Sequence, residues 1–256
     1  MPRDTYRTGE KVRHYRCVAT SVGGFVQQLA VSYLRHGYRF WVSGHIKDGK
    51  DPTKVDRKLV EKYECYWTSA ERARRKRRGQ ANAQYLRHGR FWLVIVTPGE
   101  HGFFRAVEDG GESRNADGVE LGYRDAQRQP IRYAGYSMSF RMPRARVDGN
   151  GDPVGRRGHL HVGIEKSEYL RLRAWLEELA PRRSVDELAG VFQSLPFEPY
   201  AAVSAQYFAL FRRVNSVRKR AGKALVPQEA VRWQRRIYRP FEAEVLDSDI
   251  GAEGMA

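Results

Sequence analysis

Two histidines one residue apart, in Gly158-His159-Leu160-His161-Val162, are the side chains in this sequence best placed to do chemistry. On a strand, residues i and i+2 face the same side. His159 and His161 can therefore offer two imidazoles to one metal ion while Leu160 faces the core. Asp148, Asp152 and Glu165 are the nearby carboxylates open to a third ligand position. The same spacing equally suits an exposed hairpin face lying beside phosphate, with no metal.

The His-hydrophobe-His triplet resembles the signature of the HUH endonucleases, a family of rolling-circle replication initiators, relaxases and single-stranded-DNA transposases. The resemblance covers Gly158 to Val162 alone. It implies a ferredoxin-like antiparallel sheet with both histidines on a central strand. It also implies a divalent cation, Mg²⁺ or Mn²⁺, that polarises the scissile phosphate, and a tyrosine on a neighbouring helix that attacks it to leave a 5′-phosphotyrosyl link. Tyr207 in "SAQYFALFRR" and Tyr200 in "FEPYAAV" stand downstream for that role; a relaxase-like order would assign it to Tyr6 or Tyr15.

A second signal is charge. The chain carries 46 Lys and Arg against 30 Asp and Glu, a formal net charge of +16, which speaks of partners rather than of fold. Arg72, Arg74, Arg75, Lys76, Arg77 and Arg78 crowd one stretch, with Arg87 beyond them. Like charges within one helical turn repel by a few tenths of a kcal/mol per pair, roughly, and a polyanion relieves them. Further on, Arg212, Arg213, Arg218, Lys219 and Arg220 alternate with Phe208, Phe211, Val214 and Val217 at helical spacing, and Arg235 and Arg236 follow. The preference for arginine over lysine favours bidentate grips on phosphate. Trp233, Tyr238 and Tyr85 lie among these arginines, where they serve either as stacking surfaces for bases or, the favoured reading, as core.

Other classes are excluded or weakly supported. Cys17 and Cys65 have no CxxC spacing and no disulfide-dense context. No window approaches a membrane span, and the N-terminus lacks an apolar signal region, so a cytoplasmic, nucleoprotein-bound protein is expected. There is no P-loop, no GxGxxG after a strand and no GxSxG.

The elements that must position these residues are read from periodicity. "YLRHGYRFWVSG" at Tyr33 and "YLRHGRFWLVIV" at Tyr85 each read as a helix end, a glycine stop and a core strand, written twice by duplication or by convergence. A strand is expected over Val12 to Val22, a helix in "FVQQLAVSYLRH", strands at Arg39 to Ile46 and Arg90 to Thr97, and helices after Asp51 and Thr68. The second of these helices is expected to run from Ala70 to His88. "IRYAGYSMSFRM" and "HLHVGIE" read as an antiparallel hairpin with a long basic tip, and the remainder as helices, "PQEAVRWQRRIYR" among them. The fold class expected is α+β: an antiparallel sheet, ferredoxin-like or split β-α-β, over residues 1–165, a basic helical region over 166–245, and a disordered tail over 246–256. The function expected is nucleic-acid binding, DNA or RNA, for a mobile or replicating element, within a complex with other proteins. The alternatives are an HUH nickase and an RNA-binding subunit of a ribonucleoprotein.

Overall fold

The computed structural model describes residues 5–8, 11–104, 122–142 and 158–242. The expected hairpin tip with Asp148 and Asp152, the chain after Phe104 up to residue 121, and the tail lie outside the described residues.

A short antiparallel hairpin, β1 (Thr5–Thr8) and β2 (Lys11–His14), opens the chain. The strand expected to run to Val22 ends there. Ser21 begins a helix instead: its side chain accepts the Gly24 N–H at 3.1 Å, capping α1 (Val22–Gln27). The helix widens into a π-helical stretch, Gln28–Tyr33, tightens into a 3₁₀ turn, Leu34–His36, and stops at Gly37, whose φ of +89° suits glycine alone. Strand β3 (Phe40–His45) follows. Next come α2 (Pro52–Lys62), capped by Asp51 with proline at its first position, and α3 (Ser69–Arg77). Strands β4 (Ala83–His88), β5 (Phe91–Val96), β6 (Arg124–Asp125), β7 (Ile131–Tyr133), β8 (Tyr136–Arg141) and β9 (His159–Ile164) complete the sheets. Three helices follow: α4 (Lys166–Leu179), α5 (Val185–Ser194) and α6 (Ala201–Arg220).

The class is α+β, antiparallel, with helices in the C-terminal region. Beside the β1-β2 hairpin, the described residues form two sheets, not one: β4-β5-β3-β6 and β7-β8-β9. Pro130, which has no N–H to donate, stands where the chain passes from one sheet to the other. The Phe140 N–H to Ala126 carbonyl bond, at 3.2 Å, and the Trp41 indole to Gln129 carbonyl bond, at 3.3 Å, join the two.

The repeated "YLRHG" takes two different conformations. At Tyr33 it ends a helix; at Tyr85 it is the last part of β4, and Gly89, with φ of +57°, turns the chain directly into β5. The helix expected to continue to His88 therefore ends at Arg77. Upstream of the first copy lies an apolar run at helical spacing. Upstream of the second, Gly79-Gln80-Ala81-Asn82 breaks the helix, and Ala81 and Glu100 pair across the strands, the Ala81 N–H bonding the Glu100 carbonyl at 3.0 Å. From Ala83 the side chains alternate: Ala83 and Tyr85 enter one apolar cluster and Leu86 the other.

The stretch "PQEAVRWQRRIYR" is a single 3₁₀ turn, Gln228–Ala230, followed by extended chain. Glu198 explains it. This buried carboxylate accepts from Arg232 (3.2 Å), from the Arg236 backbone N–H (2.8 Å) and from the Tyr238 hydroxyl (2.8 Å). A helix cannot present all three to one point, so the segment stretches past it. Gln27 then bonds both the N–H and the carbonyl of Tyr238, tying the segment to α1.

One polar group is buried beneath α2. Asp56 is 1 % exposed and holds both Arg87 (2.8 Å to Nε) and the Tyr85 hydroxyl (2.5 Å). Burial and then this carboxylate push the Tyr85 phenol well above its ordinary range. Removing one member of a buried ion pair strands the other charge. Asp56→Asn is therefore expected to cost about 3 kcal/mol in urea unfolding, and Asp56→Asn with Arg87→Met less than Asp56→Asn alone; a single-variant cost under about 1 kcal/mol would contradict this account.

Candidate nucleic-acid interface

Helix α3 buries no residue at all, so packing does not explain why it forms. Its N-terminus does. Thr68 accepts the Glu71 N–H at 3.3 Å while the Glu71 carboxylate accepts the Thr68 N–H at 2.9 Å, a reciprocal cap that also places negative charge at the positive end of the helix. Two of its arginines anchor it. The Arg72 guanidinium donates to the Trp67 carbonyl, and the Arg72 carbonyl accepts from the Asn82 amide at 3.0 Å. Arg75 donates to the Ala81 carbonyl at 3.2 Å, lies 3.5 Å from Glu64 and sits over the Trp67 ring.

With Arg72 and Arg75 turned inward, the 3.6-residue repeat sorts the rest. Arg74, Arg77 and Arg78 stand at i, i+3 and i+4 on the outward face, exposed and without an ion-pair partner among the described residues. Ser69, Arg72, Ala73 and Lys76 stand at i, i+3, i+4 and i+7 and border a groove of about 740 Å³. The six cations of this stretch are thus divided among anchoring, a groove wall and an open face.

The other predicted arginines divide too. Arg87 belongs to Asp56 and the Gly89 carbonyl, so its guanidinium is spent inside the fold. Arg218, 3 % exposed, is a structural clasp: its guanidinium donates to the carbonyls of Ala180 (2.8 Å), Arg183 (2.7 Å) and Ala224, at the negative end of α4. Both are removed from the interface by that engagement. Arg213 pairs with Glu177 at 2.7 Å, which holds that carboxyl below its ordinary range. Arg212 lies over the Phe208 ring and Arg235 over the Tyr200 ring. Arg212, Lys219 and Arg220 of α6 are exposed, as is Arg236 beyond it, and on this longer helix they are spaced more widely than the cations of α3. Of the aromatics, Tyr85 is core, Tyr238 serves Glu198, and Trp233 leans on Phe208 while remaining 39 % exposed.

The histidine pair lies where alternation puts it. Leu160 packs on the larger apolar cluster, whereas His159 is exposed and His161 half-buried on the opposite face. In place of the central position that the resemblance implies, β9 forms an edge of its sheet among the described residues, and the Gln206 amide covers that edge at Ile164 (2.7 and 3.0 Å). His161 opens on a cleft of about 500 Å³ with Arg132, Arg141, Lys166 and Tyr169. Its Nδ1 is buried without a hydrogen-bond partner, and burial, then Arg141 and His159, hold the ring below its ordinary pKa, neutral at pH 7.

The described residues contain no group of three or more His, Cys, Asp or Glu able to hold a metal ion. Glu165 in particular spends its carboxylate capping α4 through Ser167 and Glu168. The donor set does not fit a metal centre there. Tyr207 is wholly buried, its hydroxyl donating to the Phe197 carbonyl (2.8 Å) and accepting the Phe197 N–H (3.1 Å), which suits a strut rather than a nucleophile. Tyr200 is half-buried under Arg235; Tyr15 donates to the Tyr85 carbonyl at 2.9 Å; the side chain of Tyr6 lies outside the described residues. Tyr169, missed in the sequence, is the tyrosine that shares a cleft with His161. The signal was present: it follows the histidine strand by one helical turn of α4.

Arg218→Met leaves three carbonyls without their donor. It should lower stability by about 2 kcal/mol or more in urea unfolding, and a cost under about 1 kcal/mol would contradict the clasp. Compared with protein-family models and with curated protein sequences, the chain matches none.

Proposed function

We propose that the protein binds nucleic acid by setting the outward face of α3 against the phosphate backbone. One observation carries this reading: Arg74, Arg77 and Arg78 are held side by side and exposed, with no carboxylate partner among the described residues, on a helix that buries nothing. A fold gains nothing internal from such a face. Three guanidiniums at one helical spacing repel one another, and a line of phosphates removes the repulsion while releasing counterions. The overall charge of +16 extends the same attraction over distance. Arginine's fork suits phosphate oxygens taken two at a time. None of the helices among the described residues is long and apolar enough to cross a membrane.

Changing Arg74, Arg77 and Arg78 together to Gln should reduce the slope of log Kobs against log salt by about 0.9 per lost contact on duplex, or about 0.7 on single strands. Filter binding or fluorescence anisotropy over a salt series measures this, and an unchanged slope would place the interface elsewhere.

The His161 cleft favours a second reading, a tyrosine-dependent nickase of a mobile or replicating element. Arg132, Arg141 and Lys166 supply positive charge where a phosphodiester would sit, and Tyr169 supplies a hydroxyl in the same cleft. Attack of the Tyr169 oxygen on phosphorus would break the bond to the 3′-oxygen, which leaves with a proton, and would leave a phosphotyrosyl link. Incubation with single-stranded DNA, with and without Mn²⁺, should then give a covalent adduct that survives denaturing gel electrophoresis and is lost in Tyr169→Phe; tight binding with no adduct would rule the nickase out.

A further inference from the structure

The groove on the other side of α3 has the chemistry of a site for one unstacked nucleotide. At about 740 Å³ it falls within the range of small-molecule sites, about 300–1,000 Å³. None of its lining residues is acidic, whereas Arg39, Arg72 and Lys76 are all cations, so its ligand is an anion. The floor is more specific. Asn82 and Gln84, 4 % and 6 % exposed, are the first polar residues of the β4 region, and both open on the groove.

Each amide is oriented by the fold and left half used. Asn82 gives its Nδ2 to the Arg72 carbonyl at 3.0 Å, which leaves Oδ1 buried without a partner. Gln84 sets Oε1 3.2 Å from the Tyr15 hydroxyl, whose proton is directed to the Tyr85 carbonyl, and leaves Nε2 buried without a partner in hydrogen-bond geometry, the Tyr38 hydroxyl interacting with the same amide. The Arg39 Nε makes no hydrogen bond either, its ion pair with Asp125 being a loose 3.9 Å. Buried polar groups are ordinarily satisfied, so one fixed acceptor and one fixed donor side by side point to a ligand that presents the complementary pair. The Watson–Crick edge of a base does so. Tyr38 and Phe140 add ring surface to the walls. The remaining wall is the π-helical stretch Gln28–Tyr33, a rare conformation that recurs at functional sites.

We infer that the groove between α3 and the π-helical stretch takes a nucleotide extruded from a bound strand, its phosphate against Lys76, Arg72 and Arg39 and its base edge against Asn82 and Gln84. This rests on the reading of α3 as a nucleic-acid surface and deepens it. The outward face of α3 would hold the backbone, and the groove face one base.

The test uses the full chain and a single-stranded DNA bearing one 2-aminopurine, whose fluorescence rises when the base leaves its stack. Ala73→Trp and Ser32→Trp fill the groove from exposed positions on its two walls, and unchanged unfolding midpoints would show that both variants fold. At saturating protein the wild type and the Arg74, Arg77 and Arg78 to Gln variant should both raise the fluorescence several-fold. Both tryptophan variants should still bind the strand, with a salt slope lower by about 0.7 for the one phosphate the groove no longer holds, and give little rise. Equal rises in the blocked variants, or no rise in a saturated wild type, would overturn the groove assignment while leaving the α3 interface standing. Absence of any strand binding would instead overturn the α3 interface. Where no strand binds, equilibrium dialysis with the four nucleoside 5′-monophosphates decides the groove alone: a roughly tenfold preference over inorganic phosphate, lost in Ala73→Trp, supports a nucleotide site there, and no preference ends the proposal.

Discussion

Strand β5 is the constraint from which the rest follows. Every residue from Phe91 to Val96 is buried, and none is polar. Its side chains divide strictly by parity: Phe91, Leu93 and Ile95 enter one apolar cluster, and Trp92, Val94 and Val96 the other. A strand apolar on both faces must be covered on both, since each large side chain left in water forgoes about 1.5–3 kcal/mol. Helix α2 with the chain around Cys65 supplies one cover. Helix α1, the second sheet and helices α4 to α6 supply the other. Cys17 and Cys65 form no disulfide and lie buried in the smaller cluster, packing as small hydrophobes.

That demand uses up the apolar residues and leaves the charged ones to the margins. Helix α3 is excluded from both clusters and held by its cap and two arginines. The arginines of the chain consequently serve two different purposes. Arg87, Arg218 and Arg232 are inward guanidiniums that satisfy a carboxylate or several carbonyls at once, a task for which a planar fork with five donors is suited. Arg74, Arg77 and Arg78 have nothing inside the protein to satisfy. Composition counts these two groups as one, yet only the second contributes field at the surface.

Much of the architecture was legible from periodicity and caps. The Asp51-Pro52 start of α2, the Thr68 start of α3, the apolar face of α6 and the pairing of β8 with β9 all follow local rules, because each depends on residues near one another in the chain. The errors share one cause. "YLRHG" becomes a helix end or a strand according to what precedes it and which neighbours can bury its tyrosine and leucine. "PQEAVRWQRRIYR" has helical residues but is drawn out straight by Glu198, which is remote in sequence. Intrinsic preferences of a few tenths of a kcal/mol per residue yield to a buried carboxylate that needs its partners.

The amino-acid sequence by itself determined the fold class, the net charge, the cap that starts α3 and the strand that turns His159 and His161 to one side. Those properties depend on composition and on spacing along the chain. Which arginines face solvent, which tyrosine meets His161, and how Asn82 and Gln84 come to sit with one unsatisfied atom each beside Lys76 were decided only in three dimensions. Each of those is a competition between groups far apart in the chain for the same hydrogen bonds, and its outcome exists only once the two apolar clusters have brought the competitors together.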